Sequence, residues 1–254
     1  MARHYDFANI LFSGPCNQRC LYCIGRQLDP ALNHPNLDEF PPRGMGSLIS
    51  LIHKHQIKQI TFTGTNTDPQ LYQYEEELLN WLRARTPDMQ ISLHTNGQLA
   101  LEKVDVFNRY DRGTISMPSF NPDTFQRMTG VRHMPDLAEI VRAARIPLKV
   151  SCVLTDQNVG ESETFLACCR EIGIQRVVFR ECYGYPVPWE PLSTLIPTGS
   201  YRNNPVYDYA GMEVTYWRFE QTSTTCLNLF SDGSIGSEYL LARHAIFSPT
   251  PHSL

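Results

Sequence analysis

Residues 8–25 read ANILFSGPCNQRCLYCIG. Ala8–Phe12 is a short apolar run of the kind that forms a buried strand, and it leads straight into a loop opened by Gly14-Pro15. Within that loop Cys16, Cys20 and Cys23 are spaced Cys-x3-Cys-x2-Cys. Thiols so spaced reach three corners of an iron–sulfur cube without long travel of the backbone. Such clusters usually take four protein thiolates. With three, one iron stays open to a chelating ligand, and Tyr22, the aromatic residue between the last two cysteines, is placed to pack near it. Zinc is the competing reading of the same loop: structural zinc takes four ligands, and His34 or a distant cysteine would complete that set.

Outward from this loop the chain repeats one unit, a short β-branched run followed by a helical pattern. The Pro-, Asn- and Asp-rich stretch from Ile24 to Gly44 reads as a long loop bordering the cysteines, and long loops in compact domains tend to be functional. A helix is predicted near Gly46–His55 and a strand over Lys58–Thr63. Gln70–Arg85 is the clearest helix, with Leu71, Tyr74, Leu78, Leu79 and Leu82 on one face and Glu75, Glu76 and Glu77 off it. Strands follow at Gln90–His94, Thr114–Met117, Leu148–Leu154 and Arg176–Phe179. Helical stretches separate them near Leu101–Tyr110, Pro122–Thr129, Pro135–Ala144 and Glu161–Ile172. Six strands separated by helices predict parallel pairing through right-handed crossovers. The expected fold is α/β, a partial (β/α)6 barrel with a short C-terminal β extension. Tyr183–Gly211 reads as a loop excursion, Glu213–Phe219 and Thr225–Phe230 alternate as strands, and Asp232-Gly233 marks a tight turn. With no fixed-period repeat and no linker, residues 1–254 read as one domain, its core about 8–182 and its extension about 183–254.

Bulk properties narrow the function classes. The 254 residues are 42% hydrophobic and 19% charged, an ordinary globular balance. A formal net charge of -4 argues against broad binding to nucleic acid. No apolar run reaches the length of a membrane span, and MARHYDFANI lacks the marks of an export signal. A cytoplasmic protein is expected, in whose reducing surroundings eight cysteines serve metal binding or catalysis rather than disulfides.

The triplet, with its aromatic residue before the last cysteine, resembles the signature of the radical S-adenosylmethionine (radical SAM) superfamily. The resemblance implies Cys16, Cys20 and Cys23 as metal ligands, with a [4Fe–4S] cluster and S-adenosylmethionine as cofactors. Later stretches add to it. TFTGTNTDP (61–69) resembles the Gly-Gly-Glu-Pro-like loop whose backbone holds the methionine amino group, with Gly64, Thr65, Asn66 and Thr67 in its place. It departs from that pattern in having Thr65 in place of the second glycine and two residues, Asn66 and Thr67, between that position and the acid. Asp68-Pro69 equally reads as the cap and first position of a helix. ISLHTNG ends in the family's Thr-Asn-Gly, so Thr95 and Asn96 would face the cofactor, with His94 a candidate for proton handling or a plain structural residue. TISMPSFNPDTFQRMTG is similar to a stretch of the molybdenum-cofactor-pathway GTP cyclase group. It implies Ser116 and Ser119 as cofactor contacts, unless they only cap the following turn and helix. Arg180 stands where that group pairs an arginine with the methionine carboxylate, a task its forked guanidinium suits.

The remaining cysteines, Cys152, Cys168, Cys169, Cys182 and Cys226, form no C-terminal set of the kind that holds auxiliary clusters in that group. A single cluster is therefore expected, and not the synthesis of molybdopterin precursors. Only fifteen residues precede Cys16, which speaks against a preceding peptide-recognition or cobalamin domain. The resulting expectation is a radical SAM enzyme acting on a small nucleoside-like or amino-acid-like molecule, with flavodoxin or ferredoxin as electron donor. Two alternatives stay open: the same chemistry on a peptide or protein, and a zinc-stabilised binding module without turnover.

Overall fold

The computed structural model describes residues 4–184 and 189–238. Helices and strands alternate as β1 (Phe7–Phe12), α1 (Met45–His55), β2 (Gln59–Gly64), α2 (Glu75–Arg85), β3 (Gln90–Thr95), α3 (Val104–Phe107), β4 (Arg112–Ser116), α4 (Pro122–Thr129), α5 (Leu137–Ala143), β5 (Leu148–Leu154), α6 (Ser162–Glu171) and β6 (Arg176–Glu181). Then come β7 (Gly199–Tyr201), β8 (Asn204–Tyr209), β9 (Met212–Trp217), β10 (Cys226–Leu229) and β11 (Ile235–Gly236).

Strands β1 to β6 lie side by side in chain order and all parallel. The C-terminal extension does not sit at one end of them. It sends β9 to pair parallel with β6 and β10 to pair parallel with β1, so eight neighbouring strands run parallel where sequence patterning counted six. Hairpins complete both edges: β8 and β7 beyond β9, β11 beyond β10. Arg202, in the β7–β8 turn, pairs at 2.5 Å with Asp6, just before β1, which draws the two edges of the sheet toward each other. The sheet thus curves into a partial barrel.

Side chains alternate across each strand. Ile91 and Leu93 of β3, Val150 of β5 and Phe179 of β6 join Leu48, Leu78, Phe125 and Phe165 of the helices in one buried core on the convex side. Each such side chain contributes roughly 1.5–3 kcal/mol of transfer free energy. The alternate positions, among them Ser92, His94, Lys149, Ser151 and Arg180, face the concave side.

Four expectations change. The helix read over Gln70–Arg85 begins only at Glu75. Pro69–Leu71 forms a separate 3₁₀ turn capped by Asp68, and the chain then bends to bury Tyr72 against Phe12, ring centroids 4.8 Å apart. Glu75 lies on the buried side, 2% exposed, because Lys103 pairs with it at 2.7 Å and the Tyr110 hydroxyl donates to it at 2.9 Å. The Leu101–Tyr110 helix shrinks to the single turn of α3. Tyr183–Gly211 is not all loop: it contains β7 and β8, joined by Arg202 and Asn203 at φ 53° and 65°, the left-handed pair a two-residue hairpin needs.

Candidate active site

The Ser13–Leu28 segment leaves the C-terminal end of β1 and is clamped by the neighbouring strand ends. Thr65, just past β2, donates its N–H to the Phe12 carbonyl at 2.8 Å. Asn66 Oδ1 accepts from the Ser13 hydroxyl at 2.9 Å and the Gly14 N–H at 3.1 Å. Thr67 donates to the Pro15 carbonyl at 2.6 Å. From past β3, Asn96 Nδ2 donates to Asn17 Oδ1 at 2.7 Å. The C-terminal end of α4 accepts two more bonds, Arg19 N–H to Thr129 O at 2.7 Å and Leu21 N–H to Met128 O at 3.1 Å. Gly25 presses so closely on this frame that a Cβ there would stand 2.0 Å from the Thr65 carbonyl oxygen.

Cys16, Cys20 and Cys23 are all free thiols, partly buried. They lie within one another's electrostatic reach: burial raises the pKa of Cys16 and pushes Cys20 up to about 12, and in both cases the neighbouring cysteines add to the rise. Tyr22 sets its hydroxyl against Cys20, and burial raises it well above the usual phenol range. Among the described residues no three His, Cys, Asp or Glu side chains converge as ligands of a single ion. The thiols turn instead to local oxygens, Cys20 to Gln18 Oε1 at 3.3 Å and Cys23 to the Thr65 carbonyl at 3.7 Å.

The sequence-predicted cofactor residues divide into two groups. Thr65, Asn66, Thr67 and Asn96 use their polar groups to hold the cysteine loop. Thr95 is buried, its hydroxyl 2.9 Å from the Asp68 carboxylate and 3.0 Å from Gln70 Oε1. Ser119 is fully buried, donates to Glu161 and accepts from the Asn121 N–H at 2.9 Å, closing the turn just ahead of the Asn121 cap of α4. Gly64 packs so tightly that a Cβ would meet the Thr67 carbonyl at 1.7 Å. Ser116 and Arg180, by contrast, stand on the concave face near the rim. Ser116 is exposed and lies opposite Ser151 in register. Arg180 donates from Nε to the Ser151 hydroxyl at 2.9 Å and holds its guanidinium 5.6 Å from the Trp217 ring.

Asp68, read as a cap, does more: it caps Gln70 N–H at 2.9 Å and also accepts the Asn96 N–H at 2.6 Å, joining the ends of β2 and β3. Burial pushes its carboxyl up to about 6 against the opposing pull of those hydrogen bonds. His94 is held well below the usual imidazole range, first by burial and then by Lys149 and Arg180. Sequence reading passed over Lys149. Its signal was a lysine alternating with apolar residues inside LKVSCVL, a strand whose other face is core.

Comparison with known proteins supplies the wider setting. The Radical SAM superfamily model matches residues 10–164, more than half of the chain. Curated relatives include the GTP 3',8-cyclase of Rhodococcus opacus (strain B4), 24% identical over 166 residues, 63% of this chain and 46% of that one. The GTP 3',8-cyclase of Listeria welshimeri is 29% identical over 174 residues, 65% of this chain and 50% of that one. The chain therefore spans about half the length of the curated relatives it matches. Among solved structures, Streptococcus suis SuiB bound to precursor peptide SuiA superposes with TM-score 0.56 at 14% identity, covering 70% of this chain and 40% of that one. Native anSMEcpe with bound AdoMet and Cp18Cys peptide gives TM-score 0.55 at 16% identity, covering 92% and 74%. At such identities these structures speak for the fold, the partial barrel described above. No helix among the described residues is long and apolar enough to cross a membrane.

Proposed function

The chain belongs to the radical SAM superfamily, an enzyme family whose cofactors are a [4Fe–4S] cluster and S-adenosylmethionine, and on that premise we propose that Cys16, Cys20 and Cys23 hold the cluster at the mouth of the barrel. Membership sets aside the zinc-stabilised module without turnover. The observation that carries the reading is the cysteine loop itself: three free thiols in one another's field, on a loop clamped to the ends of β2 and β3. A cluster asks for one thiolate per iron, and three free thiols in one short loop supply three. The donor set fits a cluster with one iron left open to a further ligand.

Bound together, the two cofactors would supply 5′-deoxyadenosyl radical chemistry, able to take a hydrogen atom from a small nucleoside-like or amino-acid-like substrate. The chain's own part is positioning. Thr65, Asn66, Thr67 and Asn96 fix the cysteine loop, so that the Gly64–Thr67 backbone faces the cofactor with little freedom to move. Thr95 and Ser119 stiffen the strand ends beneath it. Arg180, held by Ser151 and flanked by Trp217, is oriented to take a carboxylate, and Ser116 offers a hydroxyl from β4, on the other side of Ser151. Tyr22 covers the thiol of Cys20. A reduced flavodoxin or ferredoxin provides the electron.

Anaerobic reconstitution followed by a dithionite assay tests this reading. A brown protein with about four irons per chain that forms 5′-deoxyadenosine from S-adenosylmethionine supports it. A colourless protein that leaves the cofactor intact overturns it.

A further inference from the structure

One buried side chain of the cysteine loop takes no part in clamping it to the strand ends. Gln18 stands between Cys16 and Cys20, is 7% exposed, and touches both thiols. Its backbone N–H donates to Cys16 Sγ at 3.4 Å, and its side-chain Oε1 accepts from the Cys20 thiol at 3.3 Å. Its Nε2 is sealed from solvent and has no hydrogen-bond partner among the described residues. The residues on either side are pinned. Asn17 accepts from Asn96 Nδ2 at 2.7 Å, and the Arg19 N–H donates to the Thr129 carbonyl at 2.7 Å. Gln18 is therefore held against the sulfurs with little room to leave them.

A buried amide donor left unpaired costs about 1–3 kcal/mol, and native proteins carry few of them. The pairing of Oε1 also suits only a protonated thiol. A cysteine that ligates metal does so as a thiolate, with no proton to donate, so Oε1 would then face a second acceptor. Turning the amide end for end removes the conflict, because its oxygen and nitrogen are nearly interchangeable in shape. Nε2 then stands where Oε1 stands in the thiol form and donates to the sulfur. The oxygen takes the partnerless position, which a carbonyl tolerates better than an N–H group does.

We propose that the Gln18 side-chain amide donates a hydrogen bond to the Cys20 sulfur of the cluster-bearing loop and thereby raises the reduction potential of the cluster. The proposal rests on reading the three cysteines as cluster ligands. Hydrogen bonds to the sulfurs are one of the determinants of such potentials. An added electron makes the sulfurs more negative, so an N–H donor stabilises the reduced form more than the oxidised one. With Gln18 in place, a milder one-electron donor suffices.

Anaerobic redox titration of the reconstituted protein with dithionite, in the absence of S-adenosylmethionine, tests it. Electron paramagnetic resonance reads the reduced cluster, and iron is determined on the same samples. Gln18→Met keeps a long side chain but has no donor. At a fixed potential its ratio of reduced to oxidised cluster should be about tenfold lower, a midpoint about 59 mV more negative for one electron. Gln18→Glu, ionised at about pH 8 and offering only oxygens, should lower it at least as far. Gln18→Leu replaces the methionine variant if thermal unfolding shows that variant to be misfolded. A midpoint that stays or rises in these variants, with iron retained, overturns the proposal and leaves the cluster reading standing. Variants that all lose iron make Gln18 an assembly residue and overturn the tuning role as well. An unaltered protein that takes up no iron–sulfur cluster overturns the cluster reading, and this inference with it.

Discussion

On β3, Ile91 and Leu93 disappear into the helix-covered core, while Ser92 and His94, one residue along in each case, look into the barrel. On β5 the same step separates Val150 from Lys149 and Ser151. The convex face is apolar, and its side chains stabilise by leaving water. The concave face is polar and cationic, carrying His94, Lys149 and Arg180. A single sheet therefore divides its work by side-chain parity: alternate positions of one strand serve stability and, in the function proposed above, binding. The rim, where the cysteine loop crosses the strand ends, belongs to the second kind of work but is built from backbone and amide contacts rather than charge.

This division can be broken at several points. The largest effect is expected at the rim. Cys20→Ser should lower iron content well below that of the unaltered protein and reduce 5′-deoxyadenosine formation to the no-enzyme background, with iron analysis and product chromatography as the checks. Retained iron and activity would show that Cys20 is not a ligand.

On the convex face, Leu93→Ala removes a side chain that is fully buried and should cost about 2–5 kcal/mol in urea unfolding. Its concave neighbour Ser92→Ala should stay within about 0.5 kcal/mol. Similar costs for both would erase the distinction between the faces.

Gly25→Ala tests how the rim is held. Its Cβ would meet the Thr65 carbonyl oxygen at 2.0 Å, so the cysteine loop must lift from the end of β2. A loss of about 1–3 kcal/mol is expected, accompanied by slower 5′-deoxyadenosine formation. Unfolding and rate measurements on one preparation separate the two.

The smallest effect has the most telling sign. Lys149 has a folded pKa of about 7, lowered from the usual lysine value of about 10.4. Between those values the unfolded chain binds the proton and the folded chain does not, so native stability rises with pH across that window. Below it the folded protein carries the full penalty of the sheltered charge. Lys149→Met should therefore melt higher than the unaltered protein near pH 6, by roughly 2–4 °C, and the advantage should fade by about pH 10. An equal shift at both pH values would mean that the charge is not the cause.

Much of this was legible in the chain. α4 lies where the pattern put it because its ends are written locally. Asn121 accepts from the N–H groups of Asp123 and Thr124, Pro122 opens the first turn, and Gly130 closes the last at φ 72°. β5 matches to the residue, since LKVSCVL has turn signals on both sides. The misreadings came where a distant partner decides. Glu75 looked like a solvent-facing acid until Lys103, twenty-eight residues on, neutralised it within the core. β8 opens with Asn204 and Pro205 directly after Asn203, so local chemistry spoke for a loop; the open edge of β9 recruited it.

The sequence by itself determined the cysteine triplet, its place directly after a strand, the alternation of strands with helices and hence the parallel α/β class. All of these depend on spacing and propensity within a few residues. Tertiary structure alone decided that β9 and β10 flank the sheet on opposite edges, that Thr65, Asn66 and Asn96 grip the cysteine loop, and that His94, Lys149 and Arg180 share one concavity. Strand pairing sets those relations, and register carries side chains from three separate strands onto one face, a choice made by burial of the convex core and invisible in any one strand's own residues.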